Sequence, residues 1–413
     1  MAQLLIVADD LTGAADAGAC FAEAGLSTAI WLAAPAHPVA DVLVVSSESR
    51  DAPEHEAVRR AHAAISAAAG AGLASWVYQK IDSALRGHPR AELVTTMAYT
   101  GVARALAAPA LPSQGRTTVG GKQLVDGVPL TTTALGEPNG ADDVVALFRG
   151  QDGEARVTLL DLATIRSDPL GLRRIMTGGR PGIFVADAEC DADLRAVAGA
   201  AIASGIRLFA GSAGLARQLA EALPLNGNAA QFPSIVRDGG PVLTVAGSRH
   251  PATARQIGVA ADRGIPIIRL DQPVIDHSEA SIAQVAGGVA TQLASGRHVV
   301  LTTDGLRLSA VDGRAVAAHL ATIVALVTAT VPVGGLVLTG GDMAAAVCAA
   351  LGVEVLWVRG EVRPAIPWGV LAGGALAGTL VATKAGSFGE PDALVACIDH
   401  LARLATPRAS ADP

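Results

Sequence analysis

Short apolar segments recur along the chain at the intervals that are typical of buried strands. Each is followed by small or polar residues and then by an alanine-rich stretch with helical periodicity. Continuous apolar strands that alternate with helices indicate parallel sheets covered on both faces. The segments of the first half are 4–8, 42–46, 75–79, 105–109, 157–160, 183–186 and 207–210. Those of the second half are 242–246, 266–270, 298–302, 335–339, 354–358 and 379–383. The pattern therefore predicts an α/β fold.

One segment interrupts this alternation and indicates a boundary. The stretch LPLNGNAAQFPSIVRDGGP (223–241) is rich in proline, glycine and asparagine, which favour turns and linkers. A chain of 413 residues is longer than one ordinary hydrophobic core organises. We therefore predict two domains, residues 1–225 and 241–405, each a mostly parallel sheet flanked by helices. A linker at 226–240 joins them, and a disordered tail follows at 406–413.

The composition fits large cores and narrows the classes of partner. Hydrophobic residues make up 51% of the chain and charged residues 17%, which argues against disorder. A net charge of −7 without a basic block disfavours nucleic acid as a partner. Aromatic residues make up only 3%, which leaves little to stack on bases. We therefore expect a small-molecule ligand.

Neither the cysteines nor the histidines have the spacing of a metal site. The four cysteines contain no CxxC pair and fit isolated thiols in a reducing cytosol, and the nine histidines contain no HExxH. The first apolar run ends at Asp9 without a basic stretch before it, so we expect no signal peptide. Apolar stretches end before the roughly 20 residues of a transmembrane helix. We expect a cytoplasmic protein without a membrane partner, and metal ligands stay unassigned.

Chemistry is expected beyond the carboxyl ends of the strands, where mostly parallel sheets bind ligands. In the first half these positions are charged: Asp9-Asp10, 46–50 and 80–83. In the second half glycine, serine and threonine predominate: 247–250, 303–305, 339–342 and 384–387. The contrast indicates two ligands of different character, one for each domain.

Two adjacent acids follow the first predicted strand. Asp10 or Thr12 is suited to cap the next helix by accepting hydrogen bonds from its free N–H groups. A helix cap needs only one such residue, and the adjacent acids exceed that need. The pair therefore has two interpretations, a purely structural role and a binding site. Arg50, in VVSSESRDAP (44–53), is suited to clamp an anion, although an isolated loop arginine more often forms a salt bridge.

The segment YQKIDSALRGH (78–88) places two cations and an acid at one strand-to-helix junction. Lys80 and Arg86 suit a carboxylate or phosphate, and Asp82 can accept a hydroxyl proton. The alternative is a helix capped by Asp82 or Ser83 with solvated basic residues.

A second basic segment, APALPSQGRTTVGGKQLVDG (108–127), does not satisfy the phosphate-binding Walker A pattern. Arg116 stands where that pattern needs its first glycine, and Gln123 where it needs serine or threonine. We expect a long loop and a hairpin there, with Arg116 or Lys122 near a ligand.

Two glycine turns in the second half are suited to a nucleotide. VLTVAGSRHPAT (242–253) and LVLTGGDMAAAV (336–347) each lead from a strand into a helix, whose first N–H groups favour phosphate. Together with VATKAGSFG (381–389) they favour a nucleotide site over glycines kept only for packing. His250 is the histidine best placed for chemistry, but a turn histidine with a satisfied ring is the commoner case. The Rossmann and protein-kinase motifs are absent.

Several of these motifs together resemble the four-carbon acid sugar kinase family. They follow the family's order from the first strand to about residue 400: IVADDLTGAADAG, YQKIDSALRG, APALPSQGRTTVGGKQLVDGVPL, FAGSAGLA, VAGSRHPAT, LTGGDMA and TKAGSFG. The resemblance implies an N-terminal domain that binds threonate, erythronate or 3-oxo-tetronate and a C-terminal domain that binds ATP with Mg²⁺, with the active site in the cleft between them. The product would be the 4-phosphate of the acid in carbohydrate acid catabolism.

The resemblance also implies roles for individual residues. The positions that match the acid-sugar-binding residues are Asp9, Arg50, Lys80, Ile81, Asp82 and Ser83, and our own interpretation of the sequence adds Arg86. The positions that match the nucleotide-binding residues are Ser248, Gly340, Gly341, Asp342, Met343 and Gly386. Phosphoryl transfer mainly requires positioning and charge stabilisation, with a group to receive the hydroxyl proton. Asp9 and Asp82 are the two candidates for that group.

Three departures from the family pattern stand out. The nucleotide turn usually reads Gly-Gly-Glu/Asp-Thr, but Met343 replaces the hydroxyl residue here. The family's Gly-Ser-x-Ser has His250 in place of its second serine. LGEPNGAD (135–142) lacks the usual Asp-Pro-x-x-Pro spacing.

Other classes of protein stay open as alternatives. A non-catalytic sugar-acid sensor is favoured only by Met343, and a sugar-acid dehydrogenase is disfavoured by the missing GxGxxG. A nucleotide-sugar transferase is disfavoured by the charged, small site. The stereoisomer of the acid is not determined by these patterns, and a homodimer is the commonest assembly for such enzymes.

Overall fold

The computed structural model of the chain divides into two compact units. Unit 1 comprises Met1–Thr28 and Val39–Ala230, and unit 2 comprises Ala29–Pro38 and Gln231–Pro413. The structure describes residues 2–35, 37–70, 72–136, 140–150, 155–178, 180–227, 235, 239–248, 250–270, 279–304 and 313–406. Most of the predicted linker at 226–240 and all but the first residue of the predicted tail at 406–413 lie outside the described residues.

Unit 1 contains a group of parallel strands flanked by helices. Its sheet strands are β1 (Leu4–Ala8), β3 (Val42–Ser46), β4 (Trp76–Lys80), β5 (Arg104–Ala108), β9 (Val157–Leu160), β10 (Gly182–Ala186) and β11 (Leu208–Gly211). Its helices are α1 (Leu11–Glu23), α2 (Glu54–Ala69), α3 (Pro89–Thr100), α4 (Val144–Arg149), α5 (Leu162–Ser167), α6 (Pro169–Gly178), α7 (Asp191–Ala203) and α8 (Ala213–Ala222). The strand order is β3–β1–β4–β11–β5–β10–β9. The predicted α/β class is confirmed here, since continuous apolar strands alternate with helices as the sequence pattern requires.

Unit 2 contains its own group of mostly parallel strands. Its strands are β2 (Thr28–Trp31, of which Thr28 belongs to unit 1), β12 (Val242–Ala246), β13 (Ile267–Arg269), β14 (Val299–Thr302), β15 (Gly335–Thr339), β16 (Val355–Arg363), β17 (Ile366–Ala372) and β18 (Leu380–Lys384). Its helices are α9 (Pro251–Asp262), α10 (Glu279–Ala294), α11 (Gly313–Thr328), α12 (Gly341–Ala350) and α13 (Ala393–Ala405). The strand order is β13–β14–β12–β15–β18–β17–β16–β2, and β17 runs antiparallel to β18 and β16.

The hairpin predicted within 108–127 is confirmed. Strands β6 (Arg116–Val119) and β7 (Lys122–Val125) pair antiparallel, and β8 (Val128–Pro129) adds to β7. The turn residues Gly120 and Gly121 both have positive φ, 59° and 75°. A two-residue turn with two left-handed residues matches the twist of the strands, which is why glycine is favoured at both positions.

Strands β2 and β17 are not among those that the apolar runs predict. The sequence of β17, IPWGVLA, contains Pro367 and Gly369, which ordinarily argue against a strand. Pro367 faces Glu361 next to an irregularity in the pairing, where a missing N–H is tolerated. The strand therefore depends on its antiparallel partners rather than on local propensity.

The apolar strand residues form a core in each unit. In unit 1, Val77, Leu106 and Val185 are fully buried or nearly so, and Phe148 of α4 packs into the same layer as Val185. In unit 2, Val337 of β15 packs with Ile398 of α13. None of the helices in the described part of the chain combines the length and apolar character that crossing a membrane requires.

Candidate active site

Three strand ends meet at the carboxyl edge of the unit 1 sheet. Strand β1 lies between β3 and β4, and the register places Ala8 opposite both Ser46 and Lys80. Parallel strands end at the same edge, so the residues that follow them become neighbours. Asp9 follows β1 directly, and Arg50 lies in the loop after β3. The structure thus brings together side chains that are far apart in the sequence.

Arg50 binds both of the adjacent acids. Its Nε and Nη2 donate to Oδ2 and Oδ1 of Asp9 at 2.8 and 2.6 Å. Its Nη1 and Nη2 donate to Oδ2 and Oδ1 of Asp10, both at 2.7 Å. Burial acts to lower the pKa of Arg50, but Asp10 and Asp9 outweigh it and raise the pKa well above its ordinary value. The guanidinium is therefore a fixed cation between two carboxylates.

Asp10 is also the N-cap of α1. Its Oδ1 accepts from the Gly13 N–H at 2.8 Å, and its Oδ2 accepts from the Thr12 hydroxyl at 2.6 Å. The sequence left the cap to Asp10 or Thr12, and the structure assigns it to Asp10. Burial acts to raise the pKa of Asp10, but Arg50 and Lys80 lower it below the usual range.

Asp9 takes no part in the cap. Burial raises the pKa of Asp9 and outweighs the opposing charge of Arg50. Because its two oxygens each have more than one lone pair, Asp9 keeps acceptor capacity beyond its bonds to Arg50.

Lys80 is a buried cation at the end of β4, only 4% exposed. Its Nζ has no hydrogen bond or ion pair among the described residues. It lies against the start of α1, because a Cβ built on Gly13 would be 3.1 Å from Nζ and 3.6 Å from Nη2 of Arg50. A lysine ammonium has three N–H donors, so Lys80 is suited to contact an anion.

Asp82 and Arg86 form an ion pair in the loop after β4. Nε and Nη2 of Arg86 donate to Oδ2 and Oδ1 of Asp82 at 2.7 and 3.1 Å. Burial acts to raise the pKa of Asp82, but Arg86 and Arg50 outweigh it and hold the pKa far below the usual range. A carboxylate with so low a pKa is a weak proton acceptor.

The other two residues predicted in this loop have different environments. The Ile81 side chain packs in the core of unit 1, so only its backbone is available to a ligand. The Ser83 hydroxyl accepts a hydrogen bond from Nη1 of Arg116 at 2.5 Å. Arg116 therefore lies beside this loop, whereas Lys122 is exposed on the hairpin, with Nζ 4.0 Å from Oδ1 of Asp142. The expectation that one of the two lies near a ligand stays a prediction.

Glu92 is a buried acid that the sequence patterns do not single out. It lies in α3, and its oxygens accept hydrogen bonds from the Ser49 hydroxyl and from Nε2 of Gln79, the latter at 3.2 Å. Burial and the charge of Asp9 raise the pKa of Glu92 to about 8. In the sequence it resembles an ordinary helical glutamate, and only packing shows that it supports the loop of Arg50.

In unit 2, three further strand ends are in register. Ala246 of β12 lies opposite Thr339 of β15, which lies opposite Lys384 of β18. The glycine turns predicted for a nucleotide follow these strands directly. The structure therefore places Ser248, Gly340 and the loop after Lys384 at one edge of this sheet.

Gly340 is the N-cap of α12 and has φ 108° and ψ 139°, a conformation that other residues rarely adopt. The cap residue is a glycine and therefore has no side chain that could bond to the first N–H groups of the helix. Gly341, Asp342 and Met343 form the first turn. A helix N-terminus of this kind favours a phosphate group.

Ser248 and Gly386 are in direct contact. A Cβ built on Gly386 would lie 1.9 Å from Oγ of Ser248, so only glycine fits at position 386. The Ser248 hydroxyl accepts from the N–H of His250 at 3.2 Å. His250 is the N-cap of α9 and accepts from Ala252 N–H at 3.2 Å, which agrees with the structural role that the sequence favoured.

Met343 packs against the other glycine turn. A Cβ built on Gly247 would lie 2.7 Å from Cε of Met343, and Met343 is almost fully buried. The thioether thus fills the space between the turns after β12 and β15. The residue that departs from the family pattern has a packing role here.

Lys384 supports the third loop of unit 2. Its Nζ donates to the carbonyl oxygens of Ala385 and Phe388 at 2.9 and 3.0 Å. Thr253 of α9 donates to the Gly386 carbonyl at 2.9 Å. Burial lowers the pKa of Lys384 to about 8. The backbone around Gly386 is therefore held from two sides.

The described residues contain no group of three histidine, cysteine or acidic side chains placed to hold a metal ion. Magnesium commonly uses one or two carboxylates together with phosphate oxygens and water. The donor set therefore fits a metal that arrives with a nucleotide, and Asp342 is the acid in the first turn of α12.

Two family models match the chain. The one described as a sugar-binding N-terminal domain matches residues 4–219, and the one described as a nucleotide-binding C-terminal domain matches residues 243–394. The chain is 34% identical to a D-threonate kinase of Salmonella typhimurium, over 97% of this chain and 99% of that protein. It is 30% identical to a 3-oxo-tetronate kinase of Methylobacterium radiotolerans, over 96% and 98%.

The fold is similar to a solved structure. A crystal structure from Salmonella typhimurium LT2, described as a proposed tRNA synthase, superposes with a TM-score of 0.78 over 97% of this chain and 99% of that one. The two sequences are 20% identical, so this likeness shows the fold alone.

Proposed function

The chain belongs to the four-carbon acid sugar kinase family, and we propose that it transfers the terminal phosphoryl group of ATP to the 4-hydroxyl group of a four-carbon sugar acid. D-threonate is the first candidate, because a D-threonate kinase matches at 34% identity and a 3-oxo-tetronate kinase at 30%. D-erythronate and 3-oxo-tetronate are the other candidates. The observation that carries the proposal is the charged site of unit 1, with one buried ammonium that has no direct partner among the described residues.

Lys80 and Arg50 are proposed to bind the carboxylate of the acid. Lys80 keeps its donors unused among the described residues, and Nη2 of Arg50 lies close to the same point of α1. A small anion that reaches this point replaces lost hydration with charge-assisted hydrogen bonds. Arg86 adds positive charge, but its donors are shared with Asp82.

Asp9 is proposed to receive the proton of the attacking hydroxyl group. The sequence left this role to Asp9 or Asp82. The pKa of Asp9 is raised by burial, whereas that of Asp82 is held low by Arg86 and Arg50 despite burial. A proton acceptor works best when its pKa approaches the working pH, so the environment of Asp9 suits the task better. Asp82 instead positions Arg86.

The turns of unit 2 are proposed to bind ATP, with Mg²⁺ on its phosphates. Ser248, Gly386 and the start of α12 supply a hydroxyl group, close backbone approach and N–H groups. Asp342 is the residue proposed to contact the metal. When bound, Mg²⁺ neutralises charge on the phosphates, and the residues of the turn orient them.

The test is an ADP-release assay with Mg-ATP and the purified chain. The panel contains D- and L-threonate, D- and L-erythronate and their 3-oxo forms, with a control that lacks the acid. We expect turnover with one acid, and none without it. The product should be the 4-phosphate, identified by phosphorus NMR.

A different outcome would favour the sensor. Thermal stabilisation by an acid, without stabilisation by ATP and without turnover, would contradict the kinase. Met343→Thr would then be the first variant to examine, because Met343 is where the nucleotide turn departs from the family pattern.

A further inference from the structure

Asp16 is a buried acid that has no role in the candidate site described above. It lies in α1 and is 7% exposed, and its Oδ1 has no hydrogen-bond partner among the described residues. Other buried acids of unit 1 are satisfied. Asp41 accepts from both the N–H and the hydroxyl of Ser27, and Asp187 accepts from two backbone N–H groups. Burying a carboxylate without a hydrogen-bond partner costs free energy, so its presence in a folded protein needs an explanation.

The position of Asp16 on α1 connects it to the site. Residues three apart lie on one face of a helix, so Asp16 lies one turn beyond Gly13 on the side that faces Lys80. Burial raises the pKa of Asp16, and Lys80 is the strongest charge acting against that rise. Asp16 and Lys80 are thus two buried groups of opposite charge on the same side of α1, without a direct bond between them.

We infer that Asp16 accepts a hydrogen bond from the 3-hydroxyl group of the sugar acid and so selects a 3-hydroxy acid over the 3-oxo acid. This inference rests on the proposed function and names its substrate class. In its ionised form the Asp16 carboxylate is only an acceptor, so it requires a donor on the ligand. A hydroxyl group supplies one and a ketone does not. With the oxo acid bound, Asp16 would stay unpaired, and sites built for a hydroxyl group reject analogues that lack it.

The spacing favours the 3-hydroxyl over the 2-hydroxyl group. Three residues of α-helix rise about 4.5 Å, which separates Asp16 from the level of Gly13 and Lys80. The oxygen on C2 lies beside the carboxylate that Lys80 would bind, whereas the oxygen on C3 lies one carbon further along. The oxygen on C3 therefore suits the distance along α1 between the level of Lys80 and Asp16.

The test compares Asp16→Asn with the unaltered chain, using D-threonate and 3-oxo-tetronate at saturating ATP. Asparagine has nearly the same shape, and its amide can donate to a ketone. We expect the unaltered chain to prefer the hydroxy acid in kcat/KM. In the variant that preference should fall at least about tenfold, with the KM for ATP unchanged. Glu23→Gln is the matched control, since it makes the same chemical change at the exposed end of the same helix. It should keep the preference.

A second measurement needs no variant. The melting temperature of the unaltered chain should rise with D-threonate and not with 2,4-dihydroxybutanoate, which lacks the 3-hydroxyl group. Equal loss of kcat/KM for both acids in Asp16→Asn, or equal stabilisation by both ligands, would overturn the inference and leave the kinase intact. A preference of the unaltered chain for the oxo acid would do the same. Turnover of no acid would overturn the proposed function and the inference together.

Discussion

In unit 1 the strand ends are followed by charged side chains that pair with one another, whereas in unit 2 they are followed by glycines and hydroxyl residues. Arg50 binds two carboxylates through four hydrogen bonds, and Asp82 binds Arg86. The turns of unit 2 depend on a backbone conformation at Gly340 and on close packing between Gly386 and Ser248.

The difference illustrates two physical routes by which a protein can bind an anion. Side-chain charges give strong and directional contacts, but burying a charge that is not paired costs free energy. Backbone N–H groups at a helix start have no such cost, but they require a conformation that few residues allow. A small acid with several hydroxyl groups suits the first route, and a phosphate chain suits the second. Substitutions in unit 1 and in unit 2 should therefore differ in their effects on stability and on activity.

The largest effect is expected for Arg50→Met. It leaves Asp9 and Asp10 buried without their common partner, which should lower the free energy of unfolding by about 3–5 kcal/mol and abolish turnover. Urea denaturation and the ADP-release assay measure both. Arg59→Met is the control, since Arg59 is 75% exposed and its pair with Glu56 should contribute less than about 1 kcal/mol. Equal stability losses for the two variants would contradict the interpretation of unit 1.

The second largest effect is expected for Lys80→Met, which should lower activity more than stability. Lys80 has no direct partner among the described residues, so the free energy of unfolding should change less than in Arg50→Met. kcat/KM for the acid should fall about 100- to 1,000-fold, as when one preorganised donor is removed, with the KM for ATP unchanged. Lys122→Met, on the exposed hairpin, is the control. An equal rise of both KM values would argue against a role for Lys80 in binding the acid.

A smaller effect is expected from Gly340→Ala in unit 2. A Cβ has space there, with the nearest atom at 3.9 Å, so the cost arises from the backbone conformation at φ 108°. We expect a loss of about 1–3 kcal/mol in stability and a raised KM for ATP, with the KM for the acid unchanged.

Gly288→Ala is the matched control for that variant. Gly288 lies in α10 with open space around its Cβ position, so alanine should stabilise the helix by up to about 1 kcal/mol. If Gly340→Ala were also neutral or stabilising, the constrained turn would not explain unit 2.

The smallest effect concerns pH. The pKa of Glu92 is raised to about 8 by burial and by Asp9, against an ordinary value of 4.5. The folded chain therefore keeps a proton that the unfolded chain has lost between these values. The stability that this proton contributes is fully present below about pH 4.5 and is lost as the pH rises through about 8.

Glu92→Gln should remove this dependence. Relative to the unaltered chain, the variant should gain at least about 1 kcal/mol of stability between pH 5 and pH 8. Urea denaturation at four pH values measures the difference. Parallel pH profiles for the two proteins would show that Glu92 is ionised in the folded chain.

Much of the fold follows from local patterns. Each apolar segment predicted as a strand overlaps a strand of the structure. A short, continuous apolar run bounded by polar residues is typical of a buried strand. The strand β17 could not be predicted in this way, since Pro367 and Gly369 are accommodated only through its partners. The same holds within the site. Asp9, Arg50 and Lys80 stand at strand ends and could be found, whereas Asp16 and Glu92 lie inside helices, where an acid ordinarily faces solvent.

The sequence by itself determined which residues end the strands and which turns contain glycine, because these depend on neighbours along the chain. Only the tertiary structure decided that Ala8 lies in register with both Ser46 and Lys80, so that Asp9, Arg50 and Lys80 share one edge. Packing and burial also decided how the environments of the two candidate carboxylates, Asp9 and Asp82, differ. Burial raises the pKa of Asp9, whereas Arg86 and Arg50 lower that of Asp82 despite its burial. Burial and neighbouring charges both depend on tertiary packing, not on the residues adjacent in the sequence.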